Sequence, residues 1–447
     1  MNNNENLSIN EGKGTAAIPQ KSIRTTQTLT TIVVVCCFLT IMAEGYDLGI
    51  YGAVLSSLLA DKTWTLTPIQ AGLIGSYALI GMMLGNVLIG TISDIIGRKW
   101  SLIICLGIFS LTMGLSAMAT SPEMLGIFRF VGGVVLGGAM PIATAMTIEF
   151  SPPNRRSLMN AIMFSGYPIG GVLGVLLSLI FLDDHGWRFL FWLGLTPIVL
   201  VPILIWKLPE SLNFLVSRNR RKEAEAICMK YQLDLSSIQK TQGKTESKSK
   251  WDALLLIFSK LYIRTTAFFW LTFFMGLLLV YGLSTWLPKM MVQAGYPLGS
   301  SLSLLLMLNF TSAIGALGAG AAADRWGSKR VISIAYFAAA VSIALLSLKP
   351  PVVLLYPLIG IAGIGSTGIL IILSAYITKY FPTHARGTAL GWASGIGRIG
   401  ASCGPILGGL LLAWKLDISV NFYIFALAAL IASISILFVP VEKNRLI

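Results

Sequence analysis

Twelve apolar stretches constrain this chain more than any other feature. They lie near residues 29–54, 68–91, 100–119, 123–149, 157–182 and 187–207, then 263–287, 299–323, 331–348, 351–378, 388–413 and 419–440. A helix of about 20 apolar residues crosses ~30 Å of hydrocarbon, and inside a bilayer each segment must satisfy its own backbone hydrogen bonds. Each stretch therefore reads as a transmembrane helix. The 447 residues are 55% hydrophobic and 12% charged, with a mean hydropathy of +0.77, which excludes an ordinary water-soluble domain.

The twelve segments form two sets of six, and the sets are related. Gly90-Thr-Ile-Ser-Asp94-Ile-Ile-Gly97-Arg98-Lys99 returns as Gly320-Ala-Ala-Ala-Asp324-Arg325-Trp-Gly327-Ser-Lys329-Arg330, an offset of 230 residues from Asp94 to Asp324. The same offset carries Pro152 to Pro382, Arg156 to Arg386, Gly170 to Gly400 and Gly174 to Gly404. An internal duplication explains this, each copy being a bundle of membrane helices with the charged stretch as a tight turn after its second helix. The expected fold is all-α and integral to the membrane: twelve transmembrane helices in two pseudo-symmetric six-helix bundles. The bundles occupy 29–208 and 263–440, joined by a basic central loop at 209–262 and flanked by tails at 1–28 and 441–447.

A net charge of +14 suggests nucleic acid in a soluble chain, but here the bias follows topology. With both termini in the cytoplasm, 26 of the 33 Lys and Arg residues fall on the inner side and only Lys62, Arg188, Lys289, Lys349 and Lys415 outside. Arg129 and Arg398 remain within apolar segments. The expected location is the cell membrane, with the lipid bilayer and no nucleic acid as partner, and a monomer as the working unit. Five cysteines, four of them in apolar runs, imply no disulfide framework. The polar first 24 residues lack the apolar core of a cleavable signal peptide.

Ionisable side chains inside a bilayer are costly, so those present are the first candidates for function. The first segment carries Glu44-Gly45-Tyr46-Asp47, whose acids at i and i+3 share a helix face, with Tyr51 a turn further on. At 1.5 Å per residue, Asp47 and Arg129 both fall in the outer half and can meet, whereas Arg398 falls near the midplane. A buried carboxylate takes up and releases a proton as an arginine leaves and returns, which is what proton coupling requires. The plainer reading is that Glu44 or Asp47 only neutralises Arg129 and ties helices together. A midplane arginine with no acid in its own helix suits a substrate carboxylate.

Glu149, Asp94, Arg98, Asp324, Arg325 and Arg386 lie at inner helix ends, where salt bridges and helix-terminus contacts latch one conformation as the halves rock. Tyr46, Tyr51, Tyr167, Tyr281, Trp286, Tyr376 and Trp392 can stack on an aromatic substrate, or serve as packing and interfacial residues. His185 and His384 have no metal-like partners at ligand spacing, the glycine-rich runs lack a Walker Lys-Ser/Thr, and no nucleophile–base pair appears. The expectation is no metal, no cofactor and no enzyme.

The repeated Gly90–Lys99 stretch, Arg129-Phe-Val-Gly-Gly-Val-Val-Leu-Gly-Gly and the twelve segments around a basic loop resemble the major facilitator superfamily over nearly the whole chain. Glu44-Gly-Tyr-Asp47 followed by Ile50-Tyr51-Gly52, with Gly395-Ile-Gly-Arg398-Ile-Gly-Ala-Ser-Cys-Gly404-Pro405, is similar to the aromatic acid:proton symporter family. Glu44 stands where that family usually has Asp. The resemblance implies import of a small organic anion, an aromatic carboxylate of the benzoate or hydroxybenzoate type, together with protons by alternating access. It further implies that Asp47 and Glu44 couple protons, that Arg398 and Arg129 serve the anion, and that Asp94 and Arg98 govern the conformational cycle. Among the aromatic residues, Tyr51, Tyr46 and Trp392 are the expected neighbours of the substrate ring. Transport of another organic anion, export of a lipophilic cation or drug, and a membrane sensor stay open as alternatives.

Overall fold

The structure is a computed structural model that describes residues 20–152, 155–231, 250–382 and 384–440. The C-terminal tail, most of the N-terminal tail and the middle of the central loop lie outside the described residues. In chain order the helices are α1 (Gln20–Ala60), α2 (Pro68–Ile96), α3 (Arg98–Ala117), α4 (Pro122–Glu149), α5 (Arg156–Phe164), α6 (Gly166–Leu193), α7 (Leu200–Lys207), α8 (Leu212–Ser217) and α9 (Arg221–Tyr231). There follow α10 (Lys250–Ile257), α11 (Ile263–Gln293), α12 (Leu298–Trp326), α13 (Ser328–Leu346), α14 (Val352–Gly363), α15 (Ile369–Tyr380), α16 (Arg386–Ala413) and α17 (Ile418–Leu437).

Local sequence sets the helix ends. Thr67 caps α2 through a reciprocal pair with Gln70, and Pro68 occupies the first helical position, where a missing N–H costs nothing. Ser121 caps α4 ahead of Pro122, its hydroxyl accepting from the Met124 N–H. The duplicated turns each pivot on one glycine, Gly97 at φ 102° and Gly327 at φ 87°, a backbone region that L side chains rarely enter. One residue thus reverses the chain between α2 and α3 and between α12 and α13. Arg156 and Arg386, also related by the repeat, each open a helix.

Length and composition single out 11 helical runs able to cross a membrane among the described residues, one fewer than the sequence suggests. The difference lies in Arg156–Lys207, a run of 52 residues that is more than twice what a bilayer needs. It breaks at Gly186, whose φ of 74° and ψ of 175° are not helical. Before the break, Gly166, Gly170 and Gly174 climb α1 past Phe38, Met42 and Tyr46. Beyond it the chain descends along α3, passing Gly114 at Leu195 and Gly107 at Val201, until the Lys99 ammonium donates to the Ile205 carbonyl at 2.8 Å. The run is two antiparallel passes.

Close packing through glycine builds each bundle. A Cβ at Gly85, Gly133 or Gly137 would collide with backbone where α2 meets α4, and one at Gly400 would do the same where α16 meets α11. Without a hydrophobic drive between helices in lipid, this close approach is the main source of cohesion.

The two halves touch only over part of their length. Along α2 and α16, Pro68 meets Gly409, Gly72 meets Pro405, the Ser76 hydroxyl donates to the Ser402 carbonyl at 2.7 Å, and Met82 meets Arg398. Further toward the end that carries the Gly97 and Gly327 turns, side chains added at Gly90, Gly391 or Gly395 would meet nothing within 4 Å. The cleft is closed at the far end and open at this basic one.

A small clasp holds the closed end of the first half. The Arg188 guanidinium lies 4.2 Å from the Trp187 ring centre and 5.4 Å from that of Trp64, while the Trp187 indole N–H donates to Asp61 at 3.3 Å. Hydrogen bonds from the Thr63 side chain and backbone, then those from Trp187 and the charge of Arg188, hold the Asp61 carboxyl below its usual range. A depressed folded value means that this stabilisation is complete above about pH 4 and is lost as pH falls through the folded value. Thermal unfolding in detergent should therefore show Asp61→Asn less stable than the parent at about pH 7, with the gap narrowing below about pH 4. A gap independent of pH would mean the clasp does not depend on ionised Asp61.

Candidate functional site

The two intramembrane arginines differ in their surroundings. Arg129, on α4, is enclosed: its side chain is 1% exposed and its two terminal nitrogens donate to the Asp47 carboxylate of α1 at 2.8 and 3.4 Å. The Tyr51 ring lies 4.3 Å from the guanidinium carbon, and the Tyr51 hydroxyl donates to the Ala71 carbonyl. Tyr46 is likewise committed, its hydroxyl donating to the Leu190 carbonyl at 2.7 Å. Asp47, Arg129, Tyr46 and Tyr51 are thus held within the first bundle.

Arg398 makes no ion pair among the described residues. One terminal nitrogen approaches the Met82 sulfur at 3.8 Å, and the guanidinium lies near Tyr281, Glu44 and Tyr167. The Tyr167 hydroxyl donates to that of Tyr281 at 3.2 Å, joining α6 of one half to α11 of the other. Glu44 is 1% exposed and its Oε2 has no hydrogen-bond partner among the described residues. Successive helix positions turn by about 100°, so Glu44 lies between the Arg129 face of α1 and the face bearing Gly45, Leu48 and Gly49.

Those last three residues line a cavity between the halves. Tyr167 and Gly171 of α6, Tyr281, Ser284 and Thr285 of α11, Asn309 of α12 and Thr367 belong to its wall. Thr367 stands in a short π-helical stretch, Ile364–Gly368, where Ser366 has non-helical dihedrals. Trp392 is not in this wall. Its ring stacks on Trp270 at 5.7 Å and lies edge-on to Phe258, in a cluster at the junction of α10, α11 and α16.

Among the residues expected to latch the inner ends, the structure joins Arg98 to Glu149 at 2.9 Å. Glu149 also accepts from the Ser211 hydroxyl at 2.7 Å and the Asn213 backbone N–H at 2.8 Å, so it ties the end of α4 to the start of α3 and to the start of α8. Its partner is Arg98 and not the adjacent Arg155 or Arg156. The Asp94 carbonyl accepts from Arg218 at 3.0 Å, Arg386 donates to the Phe381 carbonyl at 3.1 Å, and Asp324 and Arg325 are exposed with no ion pair among the described residues.

Sequence reasoning misses Asn309 and the hydroxyls of Ser284, Thr285 and Thr367. Asn309 does leave a signal, since an amide in the run Leu304-Leu-Leu-Met-Leu-Asn309-Phe310 is a polar group at membrane depth. Ser and Thr bond to their own helices too readily for sequence to single out those that face a cavity.

Two helical bundles that close at one end around a central cavity with a polar wall and part at the other have the architecture of a solute carrier. The model of the Major Facilitator Superfamily matches residues 37–320 and 299–446, and the chain belongs to that superfamily: it is a transporter and not an enzyme. It is 36% identical over 415 residues to the benzoate transport protein of Acinetobacter baylyi, covering 90% of this chain and 88% of that one. It is 37% identical over 400 residues to the gentisate transporter of Corynebacterium glutamicum, covering 89% and 84%. Among solved structures, the inward open xylose transporter XylE of E. coli shares the fold with a TM-score of 0.73 over 93% of this chain and 98% of that one, at 19% identity.

Proposed function

We propose that this protein imports an aromatic carboxylate of the benzoate or hydroxybenzoate type together with protons. The observation that carries this is Arg398. A guanidinium at membrane depth needs an anion, and Arg129 has its carboxylate while Arg398 has none within ion-pair distance among the described residues. A substrate carboxylate supplies one, with two parallel hydrogen bonds available from the guanidinium fork. Relatives named for benzoate and gentisate transport support the same class of cargo.

Glu44 is the proton carrier in this reading. It lies between Arg398 and the Arg129–Asp47 pair, buried, with an oxygen free to hold a proton. Substrate bound to Arg398 weakens the attraction between Arg398 and Glu44, and Glu44 then retains its proton for the passage. A membrane potential negative inside opposes anion entry by about 2.3 kcal/mol per charge per 100 mV, so one proton per anion removes the opposition. Asp47 and Arg129 support the coupling by fixing α1 against α4. The bundles at 29–208 and 263–440 rock about the cavity, and Asp94, Arg98, Glu149, Asp324, Arg325 and Arg386 hold the basic ends together in the opposite state. The protein works as a monomer in the cell membrane with both termini in the cytoplasm.

Uptake of labelled benzoate and 4-hydroxybenzoate into proteoliposomes with an imposed inward proton gradient tests the reading. The parent should accumulate at least one of the two and lose accumulation when a protonophore is added. Arg398→Ala removes a charge-assisted pair of hydrogen bonds, and uptake at subsaturating substrate should fall by about tenfold or more. Accumulation that Arg398→Ala leaves intact would remove Arg398 from the substrate site.

A further inference from the structure

Asn309 is held in one orientation by its own helix. Its amide nitrogen donates to the Leu305 carbonyl one turn back, at 3.0 Å. A carbonyl accepts only from the NH2 group, so this bond fixes which side of the amide faces which way. The Oδ1 atom is then the free end, and it accepts no hydrogen bond among the described residues. It points across the cavity toward α6, where a Cβ added to Gly171 would lie 3.1 Å from it. Any larger residue at Gly171 would crowd this oxygen.

The rest of the wall sharpens the contrast. At one side, the Tyr167 and Tyr281 hydroxyls bond to each other near the Arg398 guanidinium. Asn309 Oδ1 is a preoriented acceptor in the same cavity. An aromatic acid whose carboxylate meets Arg398 presents its ring to this wall, and an unsubstituted ring would leave a partly buried carbonyl oxygen dry and unpaired. A ring hydroxyl would satisfy it by donating.

Resting on the reading of the protein as an aromatic acid carrier, we infer that Asn309 is a specificity-determining residue that selects a ring-hydroxylated aromatic carboxylate over benzoate. The hydroxyl must be free to donate outward. In 2-hydroxybenzoate it is tied to the neighbouring carboxylate within the same molecule, so that compound gains nothing from Asn309. The 3- and 4-hydroxy acids keep theirs available.

Initial uptake of benzoate and of 2-, 3- and 4-hydroxybenzoate into proteoliposomes tests the inference, each compared between the parent and Asn309→Leu. The parent should favour the 3- or the 4-hydroxy acid over benzoate in kcat/KM, with 2-hydroxybenzoate ranking alongside benzoate. In Asn309→Leu the ratio of hydroxy acid to benzoate should fall by about three- to tenfold, the worth of one neutral hydrogen bond, and thermal unfolding in detergent reports that the carrier is folded. If Asn309→Leu carries none of the four, the same ratio is measured in Asn309→Ala. A parent with no preference, or a preference that survives the variant that transports, overturns the inference and leaves the carrier reading standing. A parent that moves none of these acids under a proton gradient overturns the reading on which it rests.

Discussion

Asp47→Ala is expected to destabilise the folded protein by about 3–5 kcal/mol. The cost comes from what remains. Arg129 would keep its charge in a site where its side chain is 1% exposed, where its Nε already lacks a hydrogen-bond partner, and where Tyr51 offers a ring face but no counter-charge. A buried ion pair often contributes little compared with well-packed apolar groups, while half of one is strongly unfavourable. Removing both charges should therefore recover much of the loss. Thermal unfolding in detergent of the parent, Asp47→Ala, Arg129→Met and the double variant gives the coupling directly. If Asp47→Ala unfolds at the parent temperature, the pair is not what fixes α1 against α4.

The double variant also separates the two acids of α1. A stable double variant that still accumulates substrate under a proton gradient leaves the coupling to Glu44 and makes Asp47 a positioning residue. One that is stable yet transports only down the substrate gradient returns Asp47 to the proton path.

Much of this arrangement is legible in the sequence because the bilayer is a severe solvent. It demands long apolar helices, and it makes every charge within them conspicuous; Glu44, Asp47, Arg129 and Arg398 stand out for that reason. Helical rise alone brings Asp47 and Arg129 within reach of each other. Gly97 and Gly327 follow from the repeat, since a single-residue reversal requires a glycine-like backbone at both sites. Side-chain direction is what sequence does not supply. Trp392 has a suitable ring at a plausible depth, yet its helix turns it toward Trp270 and Phe258. Along the chain the basic residues nearest to Glu149 are Arg155 and Arg156, whereas the bond it makes to Arg98 spans 51 positions. Asn309 escapes notice because it carries no charge, although its free oxygen faces the cavity.

Gly52→Leu is expected to abolish transport while leaving the protein folded. Gly52 lies on α1 where it meets α11 of the other half, and a Cβ there would collide with the Ser284 backbone carbonyl. Backbone on both sides leaves no flexible side chain to yield, so a leucine forces α1 and α11 apart at the end that is closed in this structure. Both bundles keep their internal packing, because the collision lies between them. The carrier should then remain open at that end, still binding labelled substrate from that side but unable to complete the cycle, so that uptake and counterflow both fall by about tenfold or more. Gly299→Ala is the control, since a Cβ at that position meets nothing within 4 Å and transport should be unchanged. Normal counterflow in Gly52→Leu would mean that the α1–α11 contact is not needed for closure, and that the α2–α16 contacts from Pro68 to Arg398 are sufficient to seal this end.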